Sequence, residues 1–195
     1  MHNNSQADAL LSLAAHELES LRASTGPFPV ACCRLLWSIP GNDRCVDCGS
    51  RNPEWANVSF GTLVCIQCSG RHRSFGVHIS KVRSVHMDAW NHSQVLCMLE
   101  GGNEQLLNFF DRHQMGNGST EKIKSERYHK KAASFYRTQL AVHAEQVGSF
   151  GKYPGRAIFR QRSCRHQINP AESTKASKPA LVLLAAEQTR VESCV

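Results

Sequence analysis

Four cysteines, arranged in two pairs, constrain the fold of this chain more than any other feature of its sequence. Cys45 and Cys48 form one Cys-x-x-Cys turn, Cys65 and Cys68 form a second, and sixteen residues separate the pairs. Each such turn can present two thiolates to one metal ion, so two turns complete a tetrahedral shell with no open position. The spacing therefore predicts one structural Zn²⁺. A catalytic zinc is excluded, because it would keep a position for water.

Two histidines close to the second pair, His72 and His78, are alternative metal ligands. Because four thiolates already fill a tetrahedral shell, we expect the cysteines to bind the metal and the histidines to do other work. The other five of the nine cysteines follow no spacing rule. We interpret those five as small buried apolar residues or free thiols.

The composition predicts a globular cytoplasmic protein. A chain of 195 residues, 41% of them hydrophobic, is long enough for one domain of ordinary size with some tail. Its longest apolar run, residues 180–186, has seven residues, whereas a membrane-spanning helix needs about 20. The first residues lack the basic and then apolar pattern of a secretory signal, so a disulfide framework is not expected.

The excess of positive charge lies in one stretch of the chain. Residues 121–166 carry eleven Lys and Arg against three Asp and Glu, while residues 45–113 carry six of each. A basic stretch suits phosphate groups, on a nucleic acid or on a lipid surface, and it equally suits a solvated helix face. Weak contact of residues 121–166 with an anionic membrane surface is thus one of three interpretations that the charge leaves open.

Hydrophobic periodicity and turn residues predict a mixed fold in which helices outnumber strands. Helices are expected over about residues 7–21, 30–37, 68–75, 91–100, from 103 onward, and over 121–147. Strands are expected at residues 62–64 and 77–85, and the segment 45–68 is expected to be rich in loops.

Several motifs follow the cysteines in a fixed order. They are Asn52-Pro53-x-Trp55, Ser69-Gly70-x-His72-Arg73, Gly76-Val77-His78-Ile79-Ser80, Val82-Arg83-Ser84-Val85, Met87-Asp88-x-Trp90 and Gly101-Gly102-Asn103. With the cysteine pairs, they make residues 28–147 resemble the zinc-finger domain of Arf GTPase-activating proteins. The resemblance implies an α+β fold, in which a small antiparallel sheet and a four-cysteine zinc finger are surrounded by several α-helices. Residues 1–27 are then an N-terminal extension, and residues 148–195 are a basic C-terminal tail that we expect to be disordered.

The resemblance also implies a function and the residues that perform it. The chain would not be a hydrolase itself, but would accelerate GTP hydrolysis by an Arf-like GTPase in its GTP form, in the cytoplasm or on Golgi and other trafficking membranes. The arginine finger of the family corresponds to Arg73. Trp55 would brace the Arg73 side chain, and its alternative role is a hydrophobic lid on the zinc knuckle. Asp88 would orient backbone or an arginine near the site, and its alternative role is the N-cap of the following helix.

Two other functions fit parts of this pattern. Zinc fingers of the GATA type also have two Cys-x-x-Cys pairs followed by a basic arm. Such a reader of DNA usually places its phosphate contacts in the finger, and here residues 45–113 have no net charge. We therefore do not expect nucleic acid as a partner. The third alternative is an adaptor that binds a GTPase without stimulating it, and the presence of Arg73 argues against that alternative.

Overall fold

The computed structural model describes residues 2–115 and 125–156, and the following account concerns these residues. Six α-helices, one 3₁₀ helix and three short strands follow one another along this part of the chain. In chain order they are α1 (His2–Ser20), α2 (Val30–Ser38), β1 (Trp55–Asn57), β2 (Thr62–Val64), α3 (Ile66–Ser74), β3 (Val82–Ser84), α4 (His92–Glu100), α5 (Asn103–Arg112), the 3₁₀ helix Arg127–His129 and α6 (Lys131–Ser149).

The three strands form one antiparallel sheet in the order β2-β1-β3. The central strand β1 pairs Trp55 with Val64 on one side and with Ser84 on the other. Opposite faces of β1 serve different purposes, because side chains alternate along a strand. Ala56 is fully buried in the larger of two hydrophobic clusters. Asn57, on the other face, contacts α3 through His72.

Two hydrophobic clusters form the core. The larger lies among α1, α2, α4 and α6, and one face of the sheet contributes Ala56 and Leu63 to it. The smaller joins the cysteine turns to α5 and α6 and contains the aromatic residues Phe60, Phe110 and Tyr128. The smaller cluster positions the candidate site, because it packs directly beneath the metal-binding cysteines.

Most of the predicted helices are present with shifted ends. The helix predicted over 91–100 begins at His92, because the Asn91 side chain accepts a hydrogen bond from the Gln94 amide and the Gln94 side chain accepts one from the Asn91 amide. The helix predicted from residue 121 is different. Within the described residues, a 3₁₀ turn precedes α6, and α6 begins only at Lys131; residues 116–124 lie outside the description.

The strand predicted over residues 77–85 is reduced to β3, and the strand β1 was not predicted at all. Gly76 adopts a φ of +84°, and its carbonyl accepts hydrogen bonds from the amides of Ile79 and Ser80. This turn satisfies the backbone locally, so pairing starts only at Val82. The strand predicted at 62–64 is present as β2, where two of the three residues, Thr62 and Val64, are β-branched. β1 contains Ala56 and Asn57, which are residue types depleted in strands.

The segment after α6 packs against the domain as far as it is described. The Tyr153 side chain is buried, and its hydroxyl donates a hydrogen bond of 2.8 Å to Oε1 of Glu100. Residues 148–156, the beginning of the predicted tail, thus contact α4, while residues 157–195 lie outside the described residues. Across the described residues, no helix combines the length and the apolar character that crossing a membrane requires.

Candidate functional site

The two Cys-x-x-Cys turns converge on one point, as their spacing predicts. The Sγ atoms of Cys45, Cys48, Cys65 and Cys68 all lie within 4.8 Å of one another. Four sulfur atoms at ~2.3 Å from a tetrahedral metal ion would be separated by about 3.8 Å, and the Cys48 and Cys65 sulfur atoms are 3.5 Å apart. The donor set therefore fits a four-coordinate metal ion. Cys45 and Cys68 are buried, whereas Cys48 is exposed.

Helix α3 begins directly at this cluster. Cys65 is its N-cap residue, and the Cys65 sulfur accepts a hydrogen bond from the amide of Cys68. A metal ion held by Cys65 and Cys68 would therefore fix the first turn of α3. The other end of the helix carries Arg71, His72 and Arg73 in its last turn.

Arg73 projects from α3 into solvent beside Trp55. The side chain is exposed, and its guanidinium carbon lies 4.4 Å from the centroid of the Trp55 ring. A guanidinium at this distance over a tryptophan face gains a cation–π interaction of about 0.5–1 kcal/mol at an exposed site. Trp55 itself is held by the sheet, since it pairs with both β2 and β3. The structure thus presents a permanent positive charge on a rigid aromatic support.

On its buried side, α3 is attached through His72. This side chain is 1% exposed. Its Nδ1 atom lies 2.9 Å from the Ser80 hydroxyl and 3.2 Å from the Asn57 amide nitrogen, and its Nε2 atom lies 2.8 Å from Oδ2 of Asp47. Both ring nitrogens of His72 thus have hydrogen-bonding partners, which fix the orientation of the ring.

Asp47 receives two further donors from the segment that precedes α6. Its Oδ1 atom lies 2.7 Å from Nη2 of Arg127 and 2.7 Å from the hydroxyl of Tyr128. Burial alone raises the pKa of Asp47, but the hydrogen bond and electrostatic attraction from His72, the hydrogen bond from Tyr128 and the charge of Arg127 outweigh it and hold the pKa at about 2. Burial also raises the pKa of Tyr128, so the tyrosine remains a hydrogen donor. We call Asp47, His72, Arg127 and Tyr128 the Asp47 network.

Comparisons with known proteins agree with this architecture. A family model described as "Putative GTPase activating protein for Arf" matches residues 31–145, more than half of the chain. The chain belongs to the ArfGap family. This match does not favour the nucleic-acid-binding zinc finger as an alternative.

Individual ArfGap relatives extend the comparison. The mouse ADP-ribosylation factor GTPase-activating protein 3 is 42% identical over 115 residues, which are 58% of this chain and 21% of the relative. The yeast (Saccharomyces cerevisiae) ADP-ribosylation factor GTPase-activating protein GCS1 is 40% identical over 110 residues, which are 56% of this chain and 30% of the relative. The match thus spans less than a third of either relative.

A solved structure shares the fold. The crystal structure of a putative GTPase activating protein for ADP ribosylation factor from Cryptosporidium parvum matches with a TM-score of 0.53 and 32% identity. The match covers 58% of this chain and 88% of that chain. It supports the predicted α+β fold, with a small antiparallel sheet beside the four-cysteine cluster.

Two of the alternatives considered for the ArfGap motif residues are wrong. His72 is not a metal ligand, because both its ring nitrogens are occupied by the contacts described above. Asp88 is not the N-cap of α4, because Asn91 caps that helix. Oδ2 of Asp88 instead accepts a hydrogen bond of 2.6 Å from the Ser84 amide, which closes the turn after β3.

The Asp47 network is the part of this ArfGap site that the sequence did not reveal. Arg127 and Tyr128 both fall within the helix predicted over 121–147, and Arg127 is one of the eleven basic residues of 121–166. The sequence did contain one indication of this network. Asp47 lies between two cysteines of the metal-binding cluster, and a carboxylate buried there needs a hydrogen-bonding or charged partner. That partner, however, lies 80 positions away in sequence.

Proposed function

We propose that this ArfGap domain accelerates GTP hydrolysis by an Arf-type small GTPase in its GTP form, and that Arg73 is its arginine finger. The observation that carries the proposal is the exposed Arg73 guanidinium, stacked on Trp55 at the end of a helix that begins in the cysteine cluster. The relatives' names state GTPase activation toward ADP-ribosylation factor for those proteins.

The physical chemistry of phosphoryl transfer explains how such an arginine acts. Negative charge spreads over the transferring phosphate in the transition state, and a small GTPase alone meets that charge poorly. A guanidinium stays protonated and donates two parallel hydrogen bonds to phosphate oxygens. A finger supplied from another protein is typically worth 10³–10⁵-fold in rate. Nucleotide, magnesium and attacking water belong to the partner, so the domain is an activator and contains no hydrolytic centre of its own.

Exposed apolar side chains on α3 and on the segments that follow α3 and β3 fit a protein partner. Ile66, on α3, is 61% exposed, and it lies seven residues before Arg73, which is two helical turns along the same face. Val77 follows the helix and is 81% exposed, and Met87, after β3, is 76% exposed. Several large apolar residues exposed beside a functional group are typical of a protein–protein contact.

Substitution of Arg73 tests the proposal directly. Single-turnover GTP hydrolysis should be measured on a panel of GTP-loaded Arf-type GTPases with the unmodified chain, Arg73→Lys and Arg71→Lys. We expect Arg73→Lys to lose roughly 10³-fold or more of the stimulation, because lysine offers no planar pair of donors. Arg71→Lys is the matched control, two residues away on the same helix, and should retain most of the activity.

Stimulation by Arg73→Lys at the unmodified rate would reject the assignment of the finger. An unmodified chain that binds the GTPase without accelerating hydrolysis would support the adaptor alternative.

We also propose that the metal in the four-cysteine cluster is a single Zn²⁺. Zinc suits four thiolates because it accepts tetrahedral geometry and has no redox chemistry. When bound, it supplies structural rigidity, and its ligands Cys65 and Cys68 would hold the start of α3. Elemental analysis should find one zinc per chain in the unmodified protein and in Cys33→Ser, whose thiol lies outside the cluster. Cys48→Ser should lose zinc. Unchanged circular dichroism after removal of the metal by a chelator would contradict a structural role.

Two further proposals concern contact with membranes and location in the cell. Among the described residues of 121–166, Lys130, Lys131 and Lys152 are exposed, whereas Arg127 is buried in the Asp47 network. We propose weak binding of the exposed cations to anionic lipids, and a cytoplasmic protein that visits Golgi or other trafficking membranes. Sedimentation with vesicles rich in phosphatidylserine should decrease as salt increases. No sedimentation at low salt would reject the contact.

A further inference from the structure

The contacts that fix the last turn of α3 differ from those that fix its first turn. A metal ion bound by Cys65 and Cys68 would fix residues at the start of the helix, but Arg73 lies five residues beyond Cys68, about 7.5 Å along the helix axis. Between them lies Gly70, which has open space around it and lowers the stability of the helix at that point. The metal cluster alone therefore leaves the turn that carries Arg73 weakly held.

The buried Asp47 network is the second fixation point. His72 precedes Arg73, and its Nε2 atom donates to Asp47, a residue of the first cysteine turn. The Asp47 carboxylate is 10% exposed, and Arg127 is 2% exposed. The guanidinium carbon of Arg127 also lies 4.6 Å from the ring centroid of Phe110. Because a buried charge is costly unless it is paired and hydrogen-bonded, this arrangement strongly favours one geometry of the last turn.

We propose that Asp47 is a positioning residue for the arginine finger: together with Arg127 and Tyr128, it fixes the turn of α3 that carries Arg73. This inference rests on the proposed function of Arg73. Asp47 touches neither Arg73 nor the partner's nucleotide in this mechanism. It acts through His72, so its loss should reduce the rate of the bound complex without weakening the complex itself.

The decisive experiment separates rate from affinity. Single-turnover hydrolysis on a GTP-loaded Arf-type GTPase should be measured with the zinc-loaded full chain over a range of concentrations. We expect Asp47→Asn to lower the maximal rate by roughly ten- to a hundredfold, with a half-saturating concentration within about twofold of the original. Zinc content should stay at one per chain, because the four thiolates are untouched. Asp43→Asn is the matched control, since its carboxylate is 70% exposed, and it should leave both parameters unchanged.

A second variant covers the case in which Asp47→Asn does not fold. Tyr128→Phe removes one hydroxyl from Asp47 and keeps the ring that packs against Phe60, Phe75 and Phe110. It should lower the maximal rate several-fold at constant half-saturating concentration. Maximal rates within twofold of the original in every variant that folds would overturn the proposal. So would a loss of rate matched by an equal loss of affinity or of zinc.

A measurement without GTPase distinguishes this proposal from failure of the proposed function. In nuclear magnetic resonance spectra of the free, zinc-loaded chain, Asp47→Asn should shift the Nε–H signal of Arg73 and the indole N–H signal of Trp55. Asp43→Asn should shift neither. If the unmodified chain stimulates no GTPase, the proposed function fails, yet these shifts would still support the positioning role. Unchanged Arg73 and Trp55 signals would overturn it.

Discussion

At the scale of single residues, buried polar side chains fix the position of the site, and Asn103 is an example. This residue is 1% exposed. Its Oδ1 atom accepts a hydrogen bond of 2.7 Å from the Leu63 amide, and its Nδ2 atom donates to the carbonyl oxygens of Leu63 and Arg44. The side chain of Asn103 thus joins the start of α5 to β2 and to the residue just before Cys45. Together with the Val46 amide, which also donates to the Leu63 carbonyl, the Asn103 side chain takes the place of a strand partner for β2 at Leu63.

Replacing Asn103 should therefore be costly for stability. Asn103→Ala leaves the buried Leu63 amide and the part-buried Arg44 carbonyl without these partners, while the Leu63 carbonyl keeps the hydrogen bond from the Val46 amide. Each unsatisfied group costs about 1–3 kcal/mol. We expect a loss of roughly 3 kcal/mol or more in the free energy of unfolding, measured by chemical denaturation of the zinc-loaded chain. Asn108→Ala is the control, because Asn108 lies on the exposed side of the same helix. Equal stability of the two variants would show that the Asn103 contacts contribute little.

The sequence predicted single residues unevenly. It indicated the four cysteines from spacing alone, and it indicated Arg73 and Trp55 through resemblance, because such residues belong to compact local motifs. It did not predict the Asp47 network, in which Asp47 and Arg127 are far apart in sequence. Of the two roles considered for Asp88, the N-cap is wrong, since Asn91 lies next to the helix start and caps α4.

At the scale of elements, contacts fix both ends of α3, whereas Gly70 lowers the stability of the middle of the helix. The sequence predicted this helix from Cys68, but α3 begins at Ile66 because the Cys65 side chain caps it. The Cys-x-x-Cys pattern indicated Cys65 as a metal ligand and did not indicate it as a helix cap. The sequence predicted β2, whose residues Thr62 and Val64 are β-branched, but not β1, whose residues Ala56 and Asn57 are of types depleted in strands. Apolar spacing thus predicted that the helices exist, whereas helix ends and β1 depend on contacts with distant residues.

Gly70 provides a test of the weak centre of α3. A Cβ atom at Gly70 would meet nothing within 4 Å, and alanine favours a helix over glycine by about 0.5–1 kcal/mol. We expect Gly70→Ala to raise the melting temperature of the zinc-loaded chain by roughly 2–4 °C. Gly61→Ala is the contrasting variant, because its Cβ would approach the Cys97 carbonyl oxygen to 2.5 Å, and it should lower the melting temperature. A decrease for Gly70→Ala would indicate strain at this position of α3.

At the scale of the whole molecule, the folded domain extends beyond the segment that matches the family model. Helix α1 precedes residue 31, yet its residues Ala14 and Leu18 are buried in the larger hydrophobic cluster. The end of α6 and the loop after it meet α1 and the segment that follows α1. The Arg22 guanidinium donates to the carbonyls of Gly148 and Gly151, and Nζ of Lys152 donates to the Ser12 hydroxyl. The two segments that flank the family match thus contact each other. The sequence predicted the helix but treated residues 1–27 as an extension, because amphipathic spacing does not say what covers the apolar face.

If α1 is part of the domain, a cavity created between α1 and the larger hydrophobic cluster must lower the stability of the whole domain and not of α1 alone. Leu18 is 1% exposed, whereas Leu13, on the same helix, is 51% exposed. Leu18→Ala should cost about 2–5 kcal/mol of unfolding free energy, while Leu13→Ala should change it by less than about 0.5 kcal/mol. Both variants should retain zinc, and under native conditions both should still stimulate the GTPase. Helix α1 contributes no residue to the Asp47 network and does not carry Arg73 or Trp55. Calorimetry should show a single transition that moves to lower temperature for Leu18→Ala. A separate transition at lower temperature, with the main transition unchanged, would instead show that α1 unfolds as an independent unit. Only a shared core makes α1 and the zinc-bound region unfold in the same transition.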